Sequence, residues 1–122
     1  MRKLNTIQKK NNLNTVYAVD EKGIGNANHV YNVIVTDGQG NETPYSIAFQ
    51  NGPRKEMNSI YGLLDTDLLE IVRDRLQGFQ SGEFACRENA IALTHLEECL
   101  LWMNKRVEDR AERRKKRRKK QS

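Results

Sequence analysis

The segment 76-LQGFQSGEFACRENAIALTHLEECLLWMNKRVEDR-110 decides the fold. Its first part is a polar stretch around an aromatic, Gly78-Phe79-Gln80-Ser81-Gly82, and its second part is a long helical pattern. Cys86, Asn89, Leu93, Leu96, Leu100, Met103 and Val107 alternate at steps of three and four, a seam of the kind one helix buries against another. Ala85, Ala92 and Cys99 form a narrow row beside that seam, and Trp102 stands off it. Upstream, Asp65-Thr66-Asp67 predicts a helix start with acidic residues in the first turn. Leu64, Leu68, Ile71, Val72 and Leu76 supply its apolar stripe. That first helix is expected to stop near Gln77 with Gly78 as its C-terminal cap. The second is expected to run from about Phe84 past Arg110. The C-terminal half therefore reads as a two-helix hairpin with a long last helix.

Working towards the N-terminus, the period changes from helical to alternating. Val30–Thr36 (VYNVIVT) is dense in β-branched and aromatic residues, with Tyr31, Val33 and Val35 on one face. Asp37-Gly38-Gln39-Gly40-Asn41 is a turn signal. Pro44–Gln50 then alternates with Tyr45, Ile47 and Phe49 on one face, so the two runs predict a β-hairpin. Asn14–Asp20 predicts a further strand, and Gly52-Pro53 interrupts the pattern before Arg54. The fold class expected is α+β, an N-terminal antiparallel sheet followed by the helical hairpin. As one domain over 1–122, it divides into a loose arm at 1–13, the sheet at 14–58, the hairpin at 63–112 and a basic tail at 113–122.

Composition narrows the function classes. Hydrophobic residues are 37% and charged residues 30% of 122, the balance of a small polar-surfaced globule. No run approaches the ~18 consecutive apolar residues of a membrane span, and no signal-peptide pattern opens the chain. The formal charge of +5 is uneven. Arg113, Arg114, Lys115, Lys116, Arg117, Arg118, Lys119 and Lys120 form the terminal run, and without them 13 basic residues face 16 acidic ones. The run reads either as a solvated helix end or as a contact for a polyanion. A protein specialised for nucleic acid usually spreads positive charge over a folded face, and this body lacks one, so nucleic acid is not the expected partner. Cys86 and Cys99, thirteen positions apart on the expected helix, lie roughly 20 Å from each other and cannot pair within the chain. They are expected as reduced core fillers.

Few residues carry chemistry of their own. Gly23-Ile24-Gly25 opens like a dinucleotide fingerprint, but a strand follows instead of a helix. His29 and His95 lack metal-ligand spacing to the cysteines, and no nucleophile–base arrangement can be assembled. Neither a metal nor a cofactor is expected, and no catalytic residue is assigned. Arg106 and Arg110 lie one turn apart on one face and suit phosphate oxygens; a surface ladder with Glu108, Asp109 and Glu112 is the equal alternative. Phe79 is either an exposed plate for a base or a staple on the first helix. Asn89 on an apolar seam reads either as a ligand contact or as a register-setting amide. Asn89 and Arg106 are 17 positions apart, roughly 25 Å along one helix, so one small nucleotide cannot touch both on one chain. Either they serve different sites or two chains build one site.

Several segments resemble a phage family of nucleotide-signal sponges, the Thoeris anti-defence proteins of the first type, whose helical hairpin is shared with an anti-CBASS sponge. The segments are Gly23-Ile24-Gly25-Asn26-Ala27-Asn28-His29-Val30-Tyr31, Phe49-Gln50-Asn51-Gly52-Pro53-Arg54, and Arg75-Leu76-Gln77-Gly78-Phe79-Gln80-Ser81-Gly82. Cys86-Arg87-Glu88-Asn89-Ala90 and Leu101-Trp102-Met103-Asn104-Lys105-Arg106 with Arg110 complete them. The resemblance implies a non-enzymatic protein of the infected bacterial cytoplasm, assembled as a homodimer and in some members a hexamer. It implies capture of glycocyclic ADP-ribose, the messenger of TIR-domain enzymes, without cleavage. Phe79 and Asn89 then match positions at the base end of the ligand, and Arg54, Arg106 and Arg110 match those at its phosphates and ribose. Some relatives hold cyclic di- or trinucleotides in separate pockets. Many continue past the helix into a glycine-containing segment, where this chain has only its basic run. The rival reading is a small phage nucleic-acid-binding protein that works through its basic tail.

Overall fold

The computed structural model describes residues 1–10, 13–53 and 56–121, with side chains through 119; Arg54 lies outside the described residues. Contacts divide the chain into two compact units, Met1–Leu64 and Asp65–Ser122. The first holds strands β1 (Arg2–Lys3), β2 (Asn14–Ala18), β3 (Val30–Thr36) and β4 (Glu42–Ala48). They form an antiparallel meander in the order β1-β2-β3-β4. The second unit holds helices α1 (Asp65–Gln80) and α2 (Arg87–Gln121), and the α+β class read from the sequence is what the fold shows.

Register follows the alternation. Ala18, Tyr31 and Ile47 lie abreast, as do Val16, Val33 and Tyr45, so the predicted apolar positions share one face. Ala18 sits at the centre, 1% exposed, the one buried hydrophobic side chain among the described residues. Tyr31 meets Phe49 edge to face at 5.8 Å, the arrangement that ring quadrupoles favour. Pro44 is tolerated because β4 is an edge strand, where a missing N–H breaks no inner ladder. The expected loose arm is partly ordered. Arg2 and Lys3 pair with Ala18 and Tyr17, the Leu4 N–H donates to the Val16 carbonyl, and Arg2 Nη2 donates to Asn28 Oδ1 at 2.8 Å. Polar sequence without a period hid this strand, because it docks through backbone groups and not through an apolar face.

Two aspartates pin the turns. Asp37 Oδ1 accepts the N–H groups of Asn41 at 2.8 Å and Gln39 at 2.9 Å, and Gly40 at φ +85° completes the loop. Those two N–H groups, Asn41 first, hold the Asp37 carboxyl below its ordinary value. In the β2–β3 loop the Asp20 carboxylate accepts Val30 N–H at 3.1 Å and His29 N–H at 3.0 Å. The Val30 bond is the main cause of its lowered pKa, partial burial opposes it, and the His29 bond adds to it. A carboxyl depressed by folding stabilises fully above its unfolded value of about 3.9 and loses that contribution as pH falls through the folded value. Urea midpoints of the parent are therefore expected to drop on acidification below about pH 4, and Asp20→Asn with Asp37→Asn should flatten that drop. An unchanged pH profile in the double variant would show that these turns are not coupled to folding.

Beyond β4 the chain is tied back onto the sheet. Phe49 bridges Leu63 in parallel and Asn51 bridges Ile60 antiparallel. Gly62 is required there, since a Cβ would stand 2.7 Å from the Ala48 carbonyl oxygen and 2.7 Å from the Phe49 carbonyl carbon.

Candidate functional site

The helical unit is held by the two seams of its hairpin, and of the described candidate residues only Asn89 lies on one of them. In α2 the half-buried positions are Asn89, Leu93, Leu96, Glu97, Leu100 and Met103, the predicted row with its ends removed and Glu97 added. Val107 is 63% exposed. In α1 they are Thr66, Leu68, Leu69, Arg73, Leu76 and Gln80. This corrects the predicted stripe: Ile71 and Val72 are 57% and 46% exposed, and Leu69 takes their place. Apolar residues 68, 69, 71 and 72 fan over about 160° of α1, and the half-buried face lies towards the Leu69 edge of that arc, a choice that spacing alone does not make. The choice is marked by Arg73, whose Nε donates to Glu97 Oε2 across the hairpin at 2.8 Å while its guanidinium also meets Glu70 at 3.3 Å. Glu97 first and Glu70 second drive the Arg73 pKa upward, so Glu97 is a structural partner and not a spare carboxylate.

The hairpin tip differs from its prediction in a way that matters. Gly78 does not cap α1; the helix continues two residues to Gln80. Ser81 ends it, its N–H donating to the Gln77 and Gly78 carbonyls and its Oγ to the Gly78 carbonyl at 2.7 Å. Phe79 therefore stands on the last helical turn and not in a loop. Its ring remains 39% exposed. The Arg75 guanidinium carbon lies 5.5 Å from the ring centroid, a cation–π contact at i and i+4. Arg75 escaped the sequence reading because Phe79 was placed outside the helix; extending the helix by one turn would have found the pair.

α2 begins at Arg87, three residues later than expected. Cys86 precedes it, exposed, with its N–H on Gln80 Oε1 at 2.9 Å and its sulfur accepting the Asn89 N–H at 3.4 Å. Cys99 is exposed as well, so neither thiol fills a core. Asn89 lies on the first turn of α2, half-buried, on the seam towards α1. Phe79, Arg75 and Asn89 thus belong to the same end of the helical unit.

The other end carries the second group. Trp102, 70% exposed, lines a shallow recess with Lys105, Arg106, Asp109, Arg110 and Arg113. The proposed ladder of Arg106 and Arg110 with neighbouring acids does not form. Lys105 holds Asp109 at 2.9 Å, Asn104 holds Glu108 at 3.2 Å and Lys115 approaches Glu112 at 4.0 Å. Among the described residues, neither Arg106 nor Arg110 has a carboxylate within 4.0 Å. Trp102 was seen in the sequence only as off the seam; its i+4 relation to Arg106 is the signal that joins it to this face. A second recess lies under the N-terminal arm, lined by Lys3–Thr6, Gln8, Lys9 and Asn14–Val16, and has no aromatic side chain.

The arrangement offers aromatic plates beside guanidinium groups, a chemistry for anionic, base-bearing ligands. Among the described residues no three His, Cys, Asp or Glu side chains could hold a metal ion together. No described helix is long and apolar enough to cross a membrane. Asn89 and Arg106 sit on one continuous helix, and the 17 positions between them keep the two groups roughly 25 Å apart.

Comparison with known proteins adds two findings. Residues 45–108 match the family described as Acb2/Tad1, hairpin domain. The chain is also 48% identical over 68 residues to Thoeris anti-defense 1 of Bacillus phage SBSphiJ7, a match covering 56% of this chain and 47% of that protein. It spans about half the length of that relative.

Proposed function

This chain belongs to the family of Acb2/Tad1 hairpin domains, and from that membership we propose that it is a phage anti-defence protein acting against Thoeris immunity in the cytoplasm of the infected bacterium. Its mechanism is stoichiometric capture of glycocyclic ADP-ribose, with no bond made or broken. The observation that carries this reading is the pair of guanidinium groups, Arg106 and Arg110, left without acidic partners next to an exposed Trp102. Phosphates of a messenger meet the arginine forks, while its base stacks on Phe79 and is held by Asn89. Arg54 joins the cationic side on the strength of the resemblance alone.

For one messenger to meet both groups across roughly 25 Å, the site is shared by two chains, Phe79 and Asn89 from one and the arginines from the other. Open apolar surface supports such pairing. Ile71 and Val72 on α1 and Val107 on α2 are all exposed in the single chain, and among the described residues Ala18 alone is buried. A protein of this size that buries so little gains stability by associating.

A sponge must bind more tightly than the effector it starves. Nanomolar affinity corresponds to about −12 kcal/mol. Two charge-assisted contacts at about 1.5–3 kcal/mol each and a stacked base at about 1–3 kcal/mol supply a large part of it. The test is to mix the protein with glycocyclic ADP-ribose, heat it and analyse the released ligand by mass spectrometry. Recovery of intact messenger is expected, with calorimetry giving equal numbers of ligands and chains in a dimer with two shared sites. A changed product would make the protein a hydrolase, and a single-chain mass by light scattering with ligand bound would remove the shared site.

A further inference from the structure

We propose that the C-terminal extension of α2 is a docking arm for duplex DNA, gripping phosphates without reading sequence; this stands independently of messenger capture. The Arg73–Glu97 pair sets the antiparallel register of the hairpin, so α1, which starts at Asp65, lies alongside α2 only to about Lys105. Within the helical unit α2 continues past that point to Gln121 with no α1 beside it, and every side chain of 113–119 is exposed. The family match ends at residue 108, so the extension lies outside the hairpin domain it describes.

Of the eight consecutive cations at 113–120, the seven at 113–119 occupy about 10 Å of helix and point to every side of it. Like charges at i and i+4 repel. Glu112 lies 4.0 Å from Lys115. Cations at the carboxyl end of a helix favour its dipole, which keeps the arm helical while it waits for counter-charge.

The distribution of charge selects the partner. A membrane surface presents anions on one side only, so a helix charged all round leaves part of its charge unmet there, and no apolar side chain between Glu112 and Gln121 adds insertion. Single-stranded nucleic acid is held by aromatic stacking, and the run has no aromatic residue. The major groove of B-form DNA, about 12 Å wide, admits a helix between two walls of phosphate. A helix charged on all sides can meet both walls. Outside the run, 13 basic residues face 16 acidic ones, which argues against nucleic acid on the body of the protein and confines the contact to the arm.

The experiment is fluorescence anisotropy of the full chain with a labelled duplex of about 20 base pairs between about 50 and 200 mM salt. Micromolar binding is expected at the lower salt, with a log–log salt slope near about −5, as six phosphate contacts at about 0.9 each give. Arg114→Gln, Lys115→Gln, Arg117→Gln and Arg118→Gln together preserve helix propensity, checked by circular dichroism. They should weaken binding at least about tenfold and reduce the slope by about 3 to 4. Any of three results overturns the proposal. They are no anisotropy change for the parent, unaltered binding by the quadruple variant, or binding to phosphatidylserine vesicles that excess duplex does not displace.

Discussion

Arg106→Ala combined with Arg110→Ala is expected to weaken capture of glycocyclic ADP-ribose by about two to four orders of magnitude, from two charge-assisted contacts of about 1.5–3 kcal/mol each. The side chains are exposed and Asp109, Glu108 and Glu112 are engaged by other groups, so removing the arginines frees no buried charge. Thermal stability should therefore stay within about 0.5 kcal/mol of the parent, as for surface positions generally. Arg106→Lys with Arg110→Lys is the informative companion. It keeps the charge and loses the planar fork, so an affinity between parent and alanine variant is expected. Calorimetry at fixed ionic strength reads all three. A parent-like Kd in the alanine variant would place the phosphates elsewhere.

Phe79→Ala with Asn89→Ala should cost about one to three orders of magnitude, combining about 1–3 kcal/mol for a stacked base with about 0.5–1.5 kcal/mol for an amide hydrogen bond. Both positions are helical, and alanine is the best helix former, so circular dichroism and the urea midpoint are expected to hold. Arg75 sharpens the experiment because it already covers one side of the Phe79 ring. In Arg75→Ala the ring remains and its cation leaves, so a change in affinity there reports on the same plate from the other side. Undiminished capture by the Phe79/Asn89 double variant would move the base-binding end away from the hairpin tip. Because the two double variants act on opposite ends of the helical unit, mixing them tests sharing directly. A heterodimer of one with the other should recover one intact site out of two.

Strands β2 to β4 and the seam of α2 were legible because their apolar residues recur with the period of the element and cover one face. Asn89 through Met103 obeyed the three–four spacing, and Tyr31, Val33, Tyr45 and Ile47 obeyed the two-residue spacing. The face of α1 was not legible. Leu68, Leu69, Ile71 and Val72 fan over about 160° of that helix, and the Arg73–Glu97 ion pair marks the edge of the arc that packs. β1 was invisible for the opposite reason, having no apolar pattern at all and pairing through backbone groups.

Of the candidate site, the residue types were apparent from the chain and their surroundings were not. Phe79, Asn89, Arg106 and Arg110 stood out as an aromatic, an amide and two cations in odd places. Spacing along a helix is a local property, so residues at i and i+4 are neighbours whatever the rest of the molecule does. That rule sufficed to bring Arg106 to Arg110, and to keep both away from Asn89. Whether Arg106 and Arg110 are spent on Asp109, Glu108 and Glu112 depends on which of several equally spaced partners each acid takes. Rotamers and the competing Lys105, Asn104 and Lys115 decide that, and spacing is silent on it. The same holds where α1 ends. Gly78 is a helix stop in isolation, yet Ser81 and Gln80 satisfy the terminal carbonyls and the Cys86 N–H two residues further on, which puts Phe79 on a helix beside Arg75. Local periodicity travels with the chain, whereas competition among hydrogen-bond and charge partners is settled only once the elements have packed.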